Sequence, residues 1–240
     1  MHGFPSLTVP DTLALPLAGN GVLAEQLCGA VLDGDDERVR RLLREVLGIG
    51  GQRLLERQRA QLAAFETLFG SMRRVALNDE LTGVYNRRGF LRMGTRMLDA
   101  LGRNLRSALV VYADVDDVKR INDTGGHSAG DRLLCDAAAA LERAAGEGAV
   151  LGRLGGDEFA VLVRLGNDDR DSILERIRRE VAACNANGRY PPLSLSLGST
   201  PFDPLRPALL PTLLEKADRA MYVEKMTKLH RGLQAQLRSL

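Results

Sequence analysis

Two textures of hydrophobic spacing divide the chain near residue 78. Ahead of it, apolar residues recur every three or four positions. "NGVLAEQLCGAVLDG" from Asn20 and "DDERVRRLLREVLG" from Asp35 each predict a short amphipathic helix, with breaks at Asp33-Gly34 and at the "GIGG" of Gly48 to Gly51. A third helix is predicted over 52–77, where Leu55, Leu62, Phe65, Phe69 and Met72 follow a heptad seam interrupted by Gln58. That seam suits a coiled coil, and equally a helix packed on its two upstream neighbours. Leu54, Leu68 and Val75 supply a second apolar edge, so both can hold together. Pro5, Pro10 and Pro16 block a helix at the start, and residues 1–19 are expected to be an irregular lead-in.

From residue 78 helical and strand patterns alternate. Helices are predicted at about 87–101, 129–145, 169–186 and 211–230. "ALVVYADV" is a continuous apolar run, the mark of a strand buried on both faces. A hairpin over 149–164 and a strand at "LSLSLGS" complete the pattern. The expectation is an α/β domain over 78–240, a sheet covered by helices, behind an all-α segment over 20–77.

Composition narrows the function. With 33 basic and 31 acidic residues, a net charge of +2 leaves room for a polyanion-binding surface only as a local patch, and no nucleic-acid partner is expected. Cys28, Cys135 and Cys184 are far apart without metal-ligand spacing, which favours thiols in a reducing compartment. No apolar run reaches the roughly 18 residues that span a bilayer. The start lacks a basic stretch followed by an apolar one, so membrane insertion is not expected and a cytoplasmic location is.

The chemistry gathers at two places. Asp114 and Asp116 stand where the buried strand emerges at its carboxyl end, the usual ligand position of open sheets. "RLGGDEFAVLV", from Arg153, interrupts a strand pattern with two glycines and two acids. Gly155 and Gly156 can take positive φ and bare their N–H groups, with Asp157 and Glu158 at the turn. Taken alone this is either a plain solvated hairpin or half of an oxygen-only site near Asp114. Such a site suits Mg²⁺ and, with two ions, phosphoryl or nucleotidyl transfer.

Three ordered blocks extend the pattern: "DELTGVYNRRGF" from Asp79, "DVDDVKRINDTGGHSAGD" from Asp114, and "GGDEF" from Gly155. Together they closely resemble the GGDEF family, the diguanylate cyclases, over about 79–225. The resemblance implies a nucleotidyl cyclase-like fold with a mostly antiparallel sheet flanked by helices. It implies condensation of two GTP to cyclic di-GMP and two pyrophosphates, across a homodimer joined through the N-terminal helices. It implies two Mg²⁺ ions per site, with Mn²⁺ as an alternative, held by Asp114, Asp157, Glu158 and the carbonyl of Val115. Asp157 is also the implied base, and Lys119 the residue that neutralises phosphate charge. Asn122 and Asp131 match the guanine-recognising pair, His127 lies in the same nucleotide-contacting stretch, Gly155 and Gly156 approach the phosphates, and Lys225 fits the phosphate-binding lysine. The "DELTGVYNRRGF" block reads as structural, with Asn86 capping a helix and Phe90 packing inward. Arg153 matches a usual basic position.

The chain also departs from the family pattern. Asp117 and Val118 stand where an aromatic pair is frequent, which bears on ground-state GTP affinity. In "ADRAMYVEKMTKLHRG" the arginine of the family's final motif is Leu229, so one phosphate contact is missing or comes from Lys228 or Arg231. The positions of the family's inhibitory product site hold Gly146 and Ala149, which predicts no product inhibition there. A regulatory protein acting on the stalk is the expected input. A weakly catalytic GTP sensor or scaffold is the alternative reading.

Overall fold

The computed structural model describes residues 25–27, 29–30, 35–46, 64, 67, 70–71, 74–166, 169–186 and 191–238. The chain forms two compact units, Met1–Ala76 and Leu77–Leu240.

In the first unit, residues 25–27 and 29–30 are helical, and helix α1 spans Asp36–Val46. The Asp35 carboxylate accepts from the Arg38 N–H at 2.9 Å, which satisfies one of the free donors of the first turn. Val39, Leu42 and Leu43 are buried, at the three-and-four spacing of an amphipathic helix, while Arg38, Arg41 and Arg44 are exposed. The seam residues Leu55, Leu62, Phe65, Phe69 and Met72 lie outside the described residues, as does the proline-bearing lead-in.

The second unit is a five-stranded sheet between two helical layers. Its elements are β1 Tyr85–Asn86, α2 Arg87–Arg103, β2 Ala108–Val115, α3 Val118–Gly125, α4 His127–Ala145, β3 Val150–Gly155, β4 Glu158–Arg164, α5 Arg170–Ala186, β5 Leu195–Phe202 and α6 Leu210–Arg238. The strand order is β1-β3-β4-β2-β5. Only β1 and β3 pair in parallel; the other three pairs are antiparallel.

Alternation along β2 builds two cores. Leu109, Val111, Ala113 and Val115 face Leu133, Ala137 and Leu141 of α4 and Ile173 and Ile177 of α5. Ala108, Val110 and Tyr112 belong to the opposite core, with Phe90 and Leu98 of α2 and Leu210, Leu214, Ala217 and Met221 of α6. Burial on both faces is why the strand reads as one unbroken apolar run.

Asn86 caps α2 as expected, accepting from the Gly89 N–H at 2.9 Å, and Phe90 is fully buried. Helix α3 is the element that the spacing did not predict. Asn122, Asp123, Thr124 and Gly125 are poor helix formers, and what holds the turn is burial of Ile121 in the core. Helix α4 begins at His127, two residues before the expected start, and α6 extends eight residues past its expected end. β5 runs on through Pro201, which an outer strand tolerates because its unpaired side needs no N–H.

Candidate functional site

Strand β2 ends where its even-numbered residues face α6, and the chemistry sits on that face. Asp114 is buried and lies opposite Glu158 of β4 in the antiparallel register. Residues so paired carry their side chains on one face, about 5 Å apart at Cβ. The Val115 N–H donates to the carbonyl of Asp157 at 2.9 Å, which brings the β3–β4 turn to the end of β2. At the turn only Gly156 takes positive φ, +41°, while Gly155 closes β3 in extended backbone and pairs with Glu158.

Helix α6 supplies the positive charge. Its core stripe of Leu210, Leu214, Ala217 and Met221 continues at the same spacing into Lys225 and Lys228 as it passes the strand ends. Lys225 Nζ stands 2.7 Å from Asp114 Oδ1. Burial pushes the Asp114 carboxyl up from its ordinary pKa, and the lysine only partly offsets this. For Lys225, burial opposes the charge, but the bond to Asp114 and the charges of Asp114, Asp157 and Asp116 together outweigh it and raise the pKa. Burial, with the charges of Glu158 and Asp218, raises the Tyr112 phenol far above its usual value, so that it stays protonated beside the acids.

Asp116 is held differently. It accepts from Ser194 Oγ at 2.5 Å, Ser196 Oγ at 2.7 Å and Lys228 Nζ at 3.0 Å. Burial alone raises its pKa, yet the three donors together bring it below the ordinary carboxylate value. Lys228 also donates to the carbonyl of Leu195. Its ammonium thus has two protein acceptors while its side chain still lines the cavity. Leu229, in the arginine's place, is 58% exposed.

A cavity of about 700 Å³ collects these groups, lined by Asp114, Glu158, Asp218, Tyr222, Lys225 and Leu229 among others. Lys119, Asn122, His127 and Asp131 stand apart from that lining, on the α3–α4 pair. Lys119, His127 and Asp131 are exposed. Asn122 is not: its Oδ1 is buried and has no hydrogen-bond partner in the structure. It sits against Gly130, where an added Cβ would come within 2.0 Å of that oxygen. A buried acceptor without a donor is costly, and here a ligand donor can supply the bond.

The oxygen donors of Asp114, Glu158 and Asp157 fit a hard divalent cation. Among the described residues no three His, Cys, Asp or Glu side chains already converge on one point. These residues can therefore provide part of a coordination shell, which phosphate oxygens and water must complete.

The role of Arg153 was not legible in sequence. It donates twice to the carbonyl of Gly156, at 2.9 and 2.7 Å, and its other nitrogen reaches both oxygens of Asp79, at 3.1 and 3.3 Å. The "DELTG" block thereby props the acidic turn from 74 residues away. The pairing of Asp116 with Lys228 is likewise absent from the sequence expectations. The spacing of α6 puts Lys228 on the core stripe after Ala217 and Met221, but does not single out Asp116 as its partner.

Residues 76–231 match the family model described as "Diguanylate cyclase, GGDEF domain". The chain is 34% identical over 168 residues to the diguanylate cyclase DgcP of Pseudomonas aeruginosa, an alignment that covers 68% of this chain and 24% of that protein. The chain thus spans about a quarter of that relative's length. The coiled coil and GGDEF domain of DgcB from Caulobacter crescentus, in complex with c-di-GMP, superposes with a TM-score of 0.60 at 25% identity, covering 70% of this chain and 90% of that one. The diguanylate cyclase SiaD in complex with its activator SiaC, from Pseudomonas aeruginosa, gives a TM-score of 0.57 at 27% identity, covering 87% of this chain and 77% of that one. Among the described residues no helix is long and apolar enough to cross a membrane. With the family model covering well over half of its length, and with an acidic turn and strand end of the matching kind, this chain belongs to the GGDEF-domain diguanylate cyclase family.

Proposed function

We propose that the chain is a cytoplasmic diguanylate cyclase, condensing two GTP into cyclic di-GMP and two pyrophosphates. The observation that carries this reading is the buried Asp114, paired in register with Glu158 and hydrogen-bonded to Lys225 in the lining of one cavity. In each half-reaction a ribose 3′-oxygen forms a bond to the α-phosphorus of the other GTP, and pyrophosphate leaves. Asp157 takes the hydroxyl proton. Lys225 exchanges Asp114 for phosphate oxygens, and Lys119 balances charge that develops on them. Asn122 and Asp131 receive the guanine edge, and the unpartnered Asn122 Oδ1 accepts one of its N–H donors. His127 sits beside them at the start of α4, while Gly155 and Gly156 leave the backbone open to the phosphates. Divalent ions, two Mg²⁺ or in their place Mn²⁺, held by Asp114, Asp157, Glu158 and the Val115 carbonyl, supply phosphate neutralisation and a more acidic 3′-hydroxyl.

Two nucleotides must meet face to face, so the assembly is read as a homodimer joined through the helices of residues 20–77, ahead of a cyclase domain over 78–240. The likeness to an activator-bound cyclase supports a regulatory protein on that helical segment. Introducing charges at Leu62 and Phe65 is expected to abolish dimerisation and turnover together, read by sedimentation and product formation. A second reading, a GTP-binding module with weak or no turnover, is favoured by the exposed Leu229 in the arginine's place. Incubation with GTP and Mg²⁺ beside an Asp157→Ala control, with products resolved chromatographically, decides between them. Cyclic di-GMP from the parent alone supports the cyclase. Bound GTP without product supports the sensor.

A further inference from the structure

Past Lys225, helix α6 carries Lys228 followed by Leu229. The structure gives Lys228 two hydrogen-bond acceptors and a nearby carboxylate. An ammonium has three protons. Here one goes to Asp116 Oδ2 at 3.0 Å and one to the Leu195 carbonyl, with Glu224 Oε1 at 3.7 Å on the same helix. Asp116 is completed by Ser194 and Ser196, which flank Leu195 at the start of β5. The node therefore ties three pieces of chain together: the residue after β2, the first residues of β5, and α6.

Lys225 is one helical turn before Lys228, and each lysine meets one acid of the Asp114-Val115-Asp116 stretch. Residues three apart on a helix share a face. Fixing the second lysine thus fixes the turn that aims the first. Leu229 has no polar group with which to share the task.

We propose that Lys228 is a positioning residue: by clamping α6 to Asp116 and the Leu195 carbonyl, it sets where the Lys225 ammonium stands in the cavity, and so the affinity for the nucleotide phosphates. This rests on the reading of Lys225 as a phosphate ligand. It accounts for a lysine at the cavity wall whose ammonium is turned to Asp116 and the Leu195 carbonyl.

The test is equilibrium binding of a non-hydrolysable GTP analogue with Mg²⁺ to the full chain, in five forms: parent, Lys228→Ala, Lys228→Arg, Lys225→Ala and the double alanine variant. Lys228→Ala is expected to weaken binding about tenfold, the scale of one lost charge-assisted contact. Lys228→Arg, which can still pair with Asp116, is expected to recover most of it. In the Lys225→Ala background the Lys228 substitution is expected to change binding less than about twofold, because the two act through one contact. Equal weakening in both backgrounds overturns the assignment, since Lys228 then acts on the nucleotide directly or on the fold at large. No weakening in either background overturns it too. Where Lys228→Ala lowers the melting temperature steeply, Lys228→Gln, which still donates to the Leu195 carbonyl, takes its place under the same two criteria. A parent chain that binds no analogue overturns the nucleotide reading itself, and this assignment with it.

Discussion

Asp79 and Arg153 show how a residue outside the site can shape it. Burial alone raises the Asp79 pKa, but its bonds from Thr82 and Arg153 outweigh that and hold it below the ordinary aspartate value. A carboxyl lowered on folding adds stability that is fully present above pH 3.8 and is lost as pH falls through its folded value. Asp79→Asn is therefore expected to lower the melting temperature at neutral pH and to make the acid limb of the stability curve shallower, read by thermal unfolding from about pH 2 to pH 7. Arg153→Ala, which strips the Gly156 carbonyl and leaves Asp79 short of its partner, is expected to cost about 2 kcal/mol in urea unfolding. Sequence reached the acids themselves, because Asp114, Asp157 and Glu158 interrupt strand patterns locally. It did not reach Arg153 to Asp79, or Lys228 to Asp116, since those partners are 74 and 112 residues apart and only the sheet brings them together.

At the scale of elements, legibility followed packing. β2 and α4 bury long periodic runs and were plain, whereas α3 is a low-propensity segment held by one buried isoleucine and by its place between β2 and α4. Two glycines on such elements make opposite predictions. An alanine at Gly130 meets the end of the Asn122 side chain, at 2.0 Å, which can swing aside. Gly130→Ala is expected to leave the melting temperature within a few degrees of the parent and to weaken GTP binding about tenfold through the displaced Asn122, as a titration will show. An alanine at Gly198 meets backbone instead, the Ala217 carbonyl and the Met221 nitrogen, each at 2.1 Å. Gly198→Ala is expected to cost about 3 kcal/mol or more, because neither strand nor helix can yield locally.

For the whole molecule, the sheet places two surfaces at a distance from each other: the strand-end cavity, and a groove of about 560 Å³ lined by Glu142, Arg143, Gly146, Glu147 and Ala149. The second carries the positions of the family's inhibitory product site, and neither its arginine nor its aspartate is present. Arg143, the basic residue of that lining, is paired with Glu180 at 2.7 Å. Added cyclic di-GMP is therefore expected to leave initial rates unchanged through this surface. Inhibition, with the dinucleotide mapped to Gly146 and Ala149 by chemical-shift change, would overturn that.

The close seat of β5 on α6 at Gly198 bears on motion. Backbone touches backbone there, so the strand and the helix behave as one rigid wall, and the lysines of α6 cannot advance on a ligand independently of the sheet. Any closing over a bound nucleotide must then come from elements other than α6 and β5: the α3–α4 pair and the β3–β4 turn. Relaxation measurements on those segments are where opening and closing would be recorded, while α6 reports a fixed frame.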